Sequence, residues 1–129
     1  MNNSILIGKV IYNVLSDDDV TKEAVKNRIY PLIAEIDANF PFITFTRDNI
    51  TSNYSKDGIY QDSVTFSIMV VSAKYSSSLD IANRIRHIFE KRKIESKDLT
   101  LYNIKLTGIS ESFTDDSYTQ ELRFECTVE

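Results

Sequence analysis

The sequence predicts an α+β fold in which a single antiparallel sheet of about four strands is covered on one face by two helices. The first observation is a period of two from Ser63 to Ala73, where branched and aromatic residues alternate with polar ones, as in a half-buried strand. The second is a period of 3.6 from Leu79 to Lys93, which is typical of an amphipathic helix. A strand leading directly into a helix favours a small two-layer domain, and the predicted order is α-β-β-α-β-β with a long β-hairpin arm.

The size and composition favour one globular domain over residues 1–129. Hydrophobic residues make up 42% and charged residues 26% of the chain, which indicates a folded rather than a disordered protein. The single cysteine allows no intrachain disulfide and favours a reduced, intracellular setting. We expect neither a membrane span nor a secretory signal. The net charge of −4 disfavours tight binding to nucleic acid or to anionic membranes.

The N-terminal region predicts a helix from Ser4 to Leu15, with its apolar residues on one face. The acidic triplet Asp17-Asp18-Asp19 follows. A metal site is one interpretation, but hard-cation loops space their ligands around a glycine, and none is present. The other interpretation is that Asp17 or Asp18 caps a short helix from Val20 to Asn27.

An edge strand and an inner strand are predicted next. The segment 28–34 contains Pro31, which lacks a backbone N–H and therefore favours a sheet edge. Residues 35–40 are expected to form a turn, and residues 41–46 a strand. The side chains of this strand expected in the core are Ile43 and Phe45.

A polar segment, Arg47–Asp62, is predicted to form the β-hairpin arm, with a disordered surface loop as the alternative. Asp57-Gly58 is a dipeptide typical of hairpin turns, and tyrosines lie on either side of it. Tyrosines suit an arm that becomes ordered against a partner, because they bring a large contact area at low entropic cost. The candidate interface residues are Arg47, Tyr54, Lys56, Asp57 and Tyr60.

The C-terminal half predicts the second helix and two further strands. Ser77 and Asp80 have the spacing of a capping box at the helix start. A strand is expected from Leu101 to Ser110, with a bulge or a close approach at Gly108. The final strand, Tyr118–Val128, shows strict alternation, interrupted on its apolar face by one glutamine.

No common catalytic or cofactor-binding pattern is present. The three glycines form no phosphate-binding loop, and one cysteine and one histidine give no metal-ligand spacing. We therefore expect no catalytic, cofactor-binding or metal-binding residues, and no small-molecule substrate. A small hydrolase that uses His87 as its base stays open, because the members of a catalytic triad need not be close in sequence.

Three strings, together with the order of elements, resemble the tail-completion family of long-tailed bacteriophages, whose members are called tail terminators or head–tail joining proteins. These strings are Asn27-Arg-Ile-Tyr-Pro31, Phe40-Pro-Phe-Ile-Thr-Phe45 and Tyr75-Ser-Ser-Ser-Leu-Asp-Ile-Ala-Asn-Arg-Ile-Arg86. The similarity covers most of the chain. The chain departs from the family in its polar arm and in its acidic triplet.

The resemblance implies a structural protein without enzymatic activity. It implies a ring, typically of six copies, that caps the tail tube and joins it to the head connector, while DNA passes through without specific binding. Such a protein would assemble in the host cytoplasm, from a phage or prophage gene, and remain in the virion. The alternative is a protein-interaction or adaptor module that binds through the 47–62 arm without forming a ring.

Overall fold

The computed structural model describes residues 3–58 and 60–128. Within this part of the chain, a 3-10 turn at Ser4–Leu6 precedes three α-helices and six strands. The helices are α1 (Ile7–Asp17), α2 (Asp19–Val25) and α3 (Tyr75–Phe89). The strands are β1 (Ile29–Pro31), β2 (Phe42–Tyr54), β3 (Tyr60–Ser72), β4 (Lys93–Glu95), β5 (Thr100–Thr114) and β6 (Ser117–Val128).

The six strands form one curled sheet that resembles half of a barrel, in the order β1-β2-β3-β6-β5-β4. Strand β1 pairs with β2 in parallel, with Ile29 opposite Ile43, whereas the other ladders are antiparallel. Two long hairpins, β2–β3 and β5–β6, meet along the β3–β6 ladder at the centre of the sheet. The short strands β1 and β4 are its two edges.

The predicted fold class is wrong in three respects. The sheet is a mixed sheet of six strands rather than an antiparallel sheet of about four, it is packed with three helices rather than two, and the order is α-α-β-β-β-α-β-β-β. The segment 28–34, expected at a sheet edge, contains the three-residue strand β1 at one edge. The three-residue strand β4 is too short to show an alternating pattern. Strands β1 and β2 pair in parallel and are therefore not joined by a hairpin. The periodicity of a single segment does not predict which strand it pairs with.

The core lies between the sheet and the helices. Phe66, Phe89 and Phe124, from β3, α3 and β6, are fully buried and pack ring against ring. Ile43 and Phe45 are buried as predicted. All three helices contribute buried side chains to the same cluster, so they cover one face of the sheet.

Register shifts in β2 and β5 set which side chains face this core. In β2, Arg47 lies opposite Phe66 and Asn49 lies opposite Thr65, so Asp48 is an extra residue. Without the extra residue, Ile50 would point to the face opposite to that of Ile43 and Phe45. The bulge shifts the alternation by one residue and so places Ile50 on the core face, opposite Val64. In β5 the register shifts between Tyr102 and Lys105 and again between Leu106 and Gly108. The second shift lies where the sequence predicts an irregularity.

The start of α3 differs from the predicted capping box. The helix begins at Tyr75 with Lys74 at the N-cap, and no side chain caps it. Ser77 therefore lies inside the first turn. The hydroxyl of Ser78 donates a hydrogen bond back to the carbonyl of Tyr75 at 2.7 Å instead.

Candidate functional site

His87, the one candidate base, lies exposed on α3. Its Nδ1 is 2.8 Å from the carbonyl oxygen of Asn83, one turn earlier in the same helix. In the described part of the chain, no cluster of His, Cys, Asp or Glu has a geometry that could hold a metal ion. None of the helices described is long and apolar enough to cross a bilayer.

The acidic triplet acts through Asp18, which caps helix α2. Its carboxylate accepts hydrogen bonds from the backbone N–H of Thr21 at 3.0 Å and from the Thr21 hydroxyl at 2.9 Å. The capping interpretation is therefore confirmed. The same carboxylate also accepts two hydrogen bonds from Arg84 of α3, at 2.6 and 3.0 Å. The guanidinium of Arg84 lowers the pKa of Asp18 from 3.8 to about 2.

Arg84 was missed by the sequence analysis because it lies 66 residues from Asp18. The pair joins α2 to α3, since each helix contributes one partner at its own surface. Both carboxylate oxygens are occupied by donors from the protein. The arrangement is that of a structural ion pair, and it accounts for Asp18 without a bound cation.

Cys126 is buried on the inner face of β6. Burial raises the pKa of its thiol to about 12, because the low-dielectric core disfavours the thiolate. A thiol in this state is a poor nucleophile at neutral pH. Cys126 therefore serves as a small apolar side chain of the core.

The arm is the end of the β2–β3 hairpin. The ladder continues outward to the pair Tyr54 and Tyr60. Strand β6 covers β3 only from Asp62 inward, so residues 53–58, 60 and 61 project beyond the centre of the sheet. Gly58 has φ of 78°, a left-handed conformation that glycine adopts without steric cost.

The structure brings together only part of the predicted interface set. Tyr54 is 77% exposed near the hairpin end, and Lys56 and Asp57 are exposed in the turn. The side chain of Tyr60 lies outside the described residues. Arg47 is separate from this group, because its Nη1 donates a hydrogen bond to the carbonyl of Ile5 at 3.0 Å and so holds the N-terminal turn against β2.

A second exposed surface lies in the loop after β1, where the sequence predicts the end of an extended segment, residues 28–34, and a turn, residues 35–40. Leu32, Ile33 and Ile36 project from this loop with large exposed areas. The signal in the sequence is the string Leu-Ile-Ala-Glu-Ile, which is unusually apolar for a connection. This loop follows the edge strand of the sheet directly.

Comparison with known proteins gives a likeness of fold. No family model matches the chain, and no curated protein matches its sequence. Among solved structures, a chain from a structure described as the virion of a native gene transfer agent particle has a TM-score of 0.77 at 16% identity, covering 92% of this chain and 91% of that one. A second structure, whose name states no function, has a TM-score of 0.70 at 15% identity, covering 98% and 96%. The chain therefore shares its fold, over almost its whole length, with a chain of that virion particle.

Proposed function

We propose that this chain is a structural protein of a phage or prophage virion, a tail terminator that forms a ring on the tail tube and joins it to the head connector. The single observation that carries the proposal is the likeness of fold, at a TM-score of 0.77, to a chain of the gene transfer agent virion. The residue strings that resemble the tail-completion family support the same role. The role is non-enzymatic.

Two of those strings meet in the structure. The string around Tyr30 forms β1, the string around Phe42 opens β2, and the two pair in parallel. The Arg28 side chain donates a hydrogen bond from Nε to the Pro41 carbonyl at 2.9 Å, and the Phe42 ring contacts the rings of Phe40 and Tyr30. The residues of these two strings therefore form one contiguous edge of the fold.

The charge of the chain fits a passage for DNA. At −4 per copy, a ring of six carries 6 × −4 = −24. A negative wall repels phosphate, so that a duplex passes through without binding, in contrast to the clustered cations of DNA-binding proteins. The proposed partners are further copies of the chain, the tail-tube protein and the head connector. The proposed location is the host cytoplasm during assembly and the head–tail junction afterwards.

The test is the assembly state alone and with tail tubes. Purified protein is examined by native mass spectrometry over a range of concentrations, and by negative-stain microscopy after addition of tail tubes assembled from a phage tube protein. We expect closed rings, with six copies as the predicted number, at one end of the tubes. Monomers that never decorate the tubes would contradict the proposal.

The second candidate function is an adaptor that binds a protein partner through the arm without forming a ring. It is favoured by Tyr54, which is 77% exposed on the projecting hairpin end. Replacing Tyr54 and Tyr60 with serine keeps the hairpin turn and removes aromatic contact area. An adaptor would lose partner binding in this variant and would show single particles in the images, whereas a terminator shows rings.

A further inference from the structure

The loop between β1 and β2 displays three aliphatic side chains to solvent. Leu32 is 71% exposed, Ile33 80% and Ile36 93%. Scattered exposed apolar residues are ordinary on a monomer, but a concentration of large ones in a single loop marks an interaction surface. We call residues 32–37 the apolar loop.

Backbone contacts hold the apolar loop in this conformation. Leu32 has φ of 65° while its N–H donates to the Phe45 carbonyl at 2.8 Å. Asp37 has φ of 64°, next to a turn in which the N–H of Ala38 donates to the carbonyl of Glu35 at 3.1 Å. A left-handed backbone is unfavourable for a leucine, so the outward display of these side chains is maintained against a conformational cost.

The opposite edge of the sheet carries a groove. Its apolar lining comes from Val14, Ile88 and Ile94, and its volume is about 370 Å³. Lys91 and Lys93 line the same groove, together with Asp17 and the Asp18 carboxylate that Arg84 already neutralises. Ile94 and Lys93 belong to β4, the edge strand farthest from β1 in the strand order. We call this the β4 groove.

The lysine side of the β4 groove is complementary in charge to the acidic residues of the apolar loop. The apolar loop carries Glu35 and Asp37 and has no lysine or arginine. The β4 groove has two lysines within the basic run 91–93. The Nζ of Lys93 forms an exposed ion pair with Oε1 of Glu95, at 2.6 Å. Exposed ion pairs contribute little to stability, so Lys93 can exchange this partner for another at small cost.

We propose that the apolar loop of one copy docks in the β4 groove of the next copy. Leu32, Ile33 and Ile36 then cover the apolar lining, while Glu35 and Asp37 face the two lysines. Because the two surfaces are different, the contact is head-to-tail, and repeated contacts of this kind form a ring when the rotation between copies closes. The inference rests on the proposed function for its partner, which is a second copy of the same chain, and adds the surfaces that meet.

Charge reversal tests the contact. Lys91→Glu with Lys93→Glu, and separately Glu35→Lys with Asp37→Lys, are each expected to weaken self-association at least tenfold in sedimentation velocity experiments. An equal mixture of the two double variants, or all four changes in one chain, restores association to within a few-fold of the original. The matched control is Lys22→Glu with Lys74→Glu, which makes the same change in net charge at exposed lysines of α2 and the start of α3 and is expected to leave association unchanged.

Disulfide trapping tests the direction of the contact. Ile36→Cys and Lys91→Cys are prepared as separate proteins, mixed and oxidised. We expect the mixed disulfide, whereas Ile36→Cys alone does not cross-link. The buried Cys126 contributes no background in the folded state, and Ser112→Cys, exposed on β5, is the control for random collisions. A disulfide between two copies of Ile36→Cys would indicate a two-fold contact and overturn the proposal.

The outcomes separate this inference from the proposed function. Rings that form undiminished in the Lys91→Glu/Lys93→Glu variant overturn the docking and leave the tail-terminator role standing. Mixed disulfides in open chains that never cap tubes support the docking and contradict that role. Failure of the original protein to associate at any concentration, with or without tubes, contradicts both.

Discussion

The Asp18 carboxylate and the Arg84 guanidinium form a two-bond ion pair, at 2.6 and 3.0 Å, that joins helix α2 to helix α3. Asp18 thus caps helix α2 and also holds helix α3 in position through Arg84. Because the pKa of Asp18 falls to about 2 in the folded protein, its contribution to stability is present above the unfolded pKa, near 4, and is lost as the pH falls through about 2.

Asp18→Asn is predicted to lower the free energy of unfolding by about 1 kcal/mol at pH 7. Asparagine caps a helix almost as well as aspartate, so the loss reports on the charge. The figure is modest because the Arg84 side chain is 40% exposed. Urea unfolding measured at pH 7, 4 and 2 should show the difference between variant and original shrinking below pH 4. The control is Glu90→Gln, which removes an exposed pair with Arg86.

Phe66→Ala is predicted to destabilise the protein by about 3–5 kcal/mol. The ring of Phe66 is fully buried, with centroids 5.3 Å from Phe124 and 5.8 Å from Phe89, so its removal leaves a cavity where three elements meet. Phe113→Ala, at a ring that is mostly exposed, should cost less than about 1 kcal/mol. Equal losses for the two variants in chemical denaturation would contradict this assignment of the core.

Gly108→Ala is predicted to cost at most about 1 kcal/mol. A Cβ at this position would lie 2.8 Å from Nη2 of Arg123. The guanidinium must therefore move, and its hydrogen bonds to Ser110 and Glu121 weaken. When Arg123 is also replaced with alanine, Gly108→Ala should no longer lower the free energy of unfolding. A double-mutant cycle measures this coupling between positions 108 and 123. A cost that persists in that background would point to the backbone of the bulge instead.

Gln120→Ala is predicted to cost about 1–3 kcal/mol. The buried amide of Gln120 donates to Ser78 at 3.3 Å and to Glu111 at 2.9 Å, so truncation removes both hydrogen bonds and leaves space. Gln120→Met fills that space, while Ser78 and Glu111 keep their contacts with the Tyr75 carbonyl and hydroxyl. Thermal unfolding should therefore rank the methionine variant between the original and the alanine variant.

Cys126 is predicted to be unreactive towards a thiol reagent at pH 8 in the folded protein and fully reactive in denaturant. The physical reason is burial, which raises the pKa of the thiol to about 12 and also blocks access. The measurement is the release of chromophore with time in buffer and in urea. Rapid reaction in buffer would show that the end of β6 opens readily.

Much of the fold could be predicted wherever the chain alternates over a long stretch. The strand predicted at Ser63–Ala73 corresponds to β3, and helix α3, the irregularity at Gly108 and the final strand are also present. Gln120, which interrupts the apolar face of that strand, is buried because two side chains accept its hydrogen bonds. These features are determined by residues that are close together in the sequence, and periodicity describes the pattern of such residues.

The features that could not be predicted depend on contacts between distant segments. Strand β4 is Lys-Ile-Glu with one partly buried residue, and only pairing with β5 makes it a strand. Arg84 has no signal in the sequence because its partner, the N-cap residue of α2, lies far away along the chain. The assignment of Arg47 to the arm follows its polar neighbours, whereas the structure directs its side chain to Ile5.

The ladder between β3 and β6 has a consequence for how the protein folds. Each long hairpin is local and can form by itself, but the seam that unites them joins Asp62 with Val128 and Ser72 with Tyr118. Such distant pairing requires the closure of a large loop before it gains any stability. We therefore expect the two hairpins to form early in folding. The rate-limiting step is then the formation of the β3–β6 ladder between them.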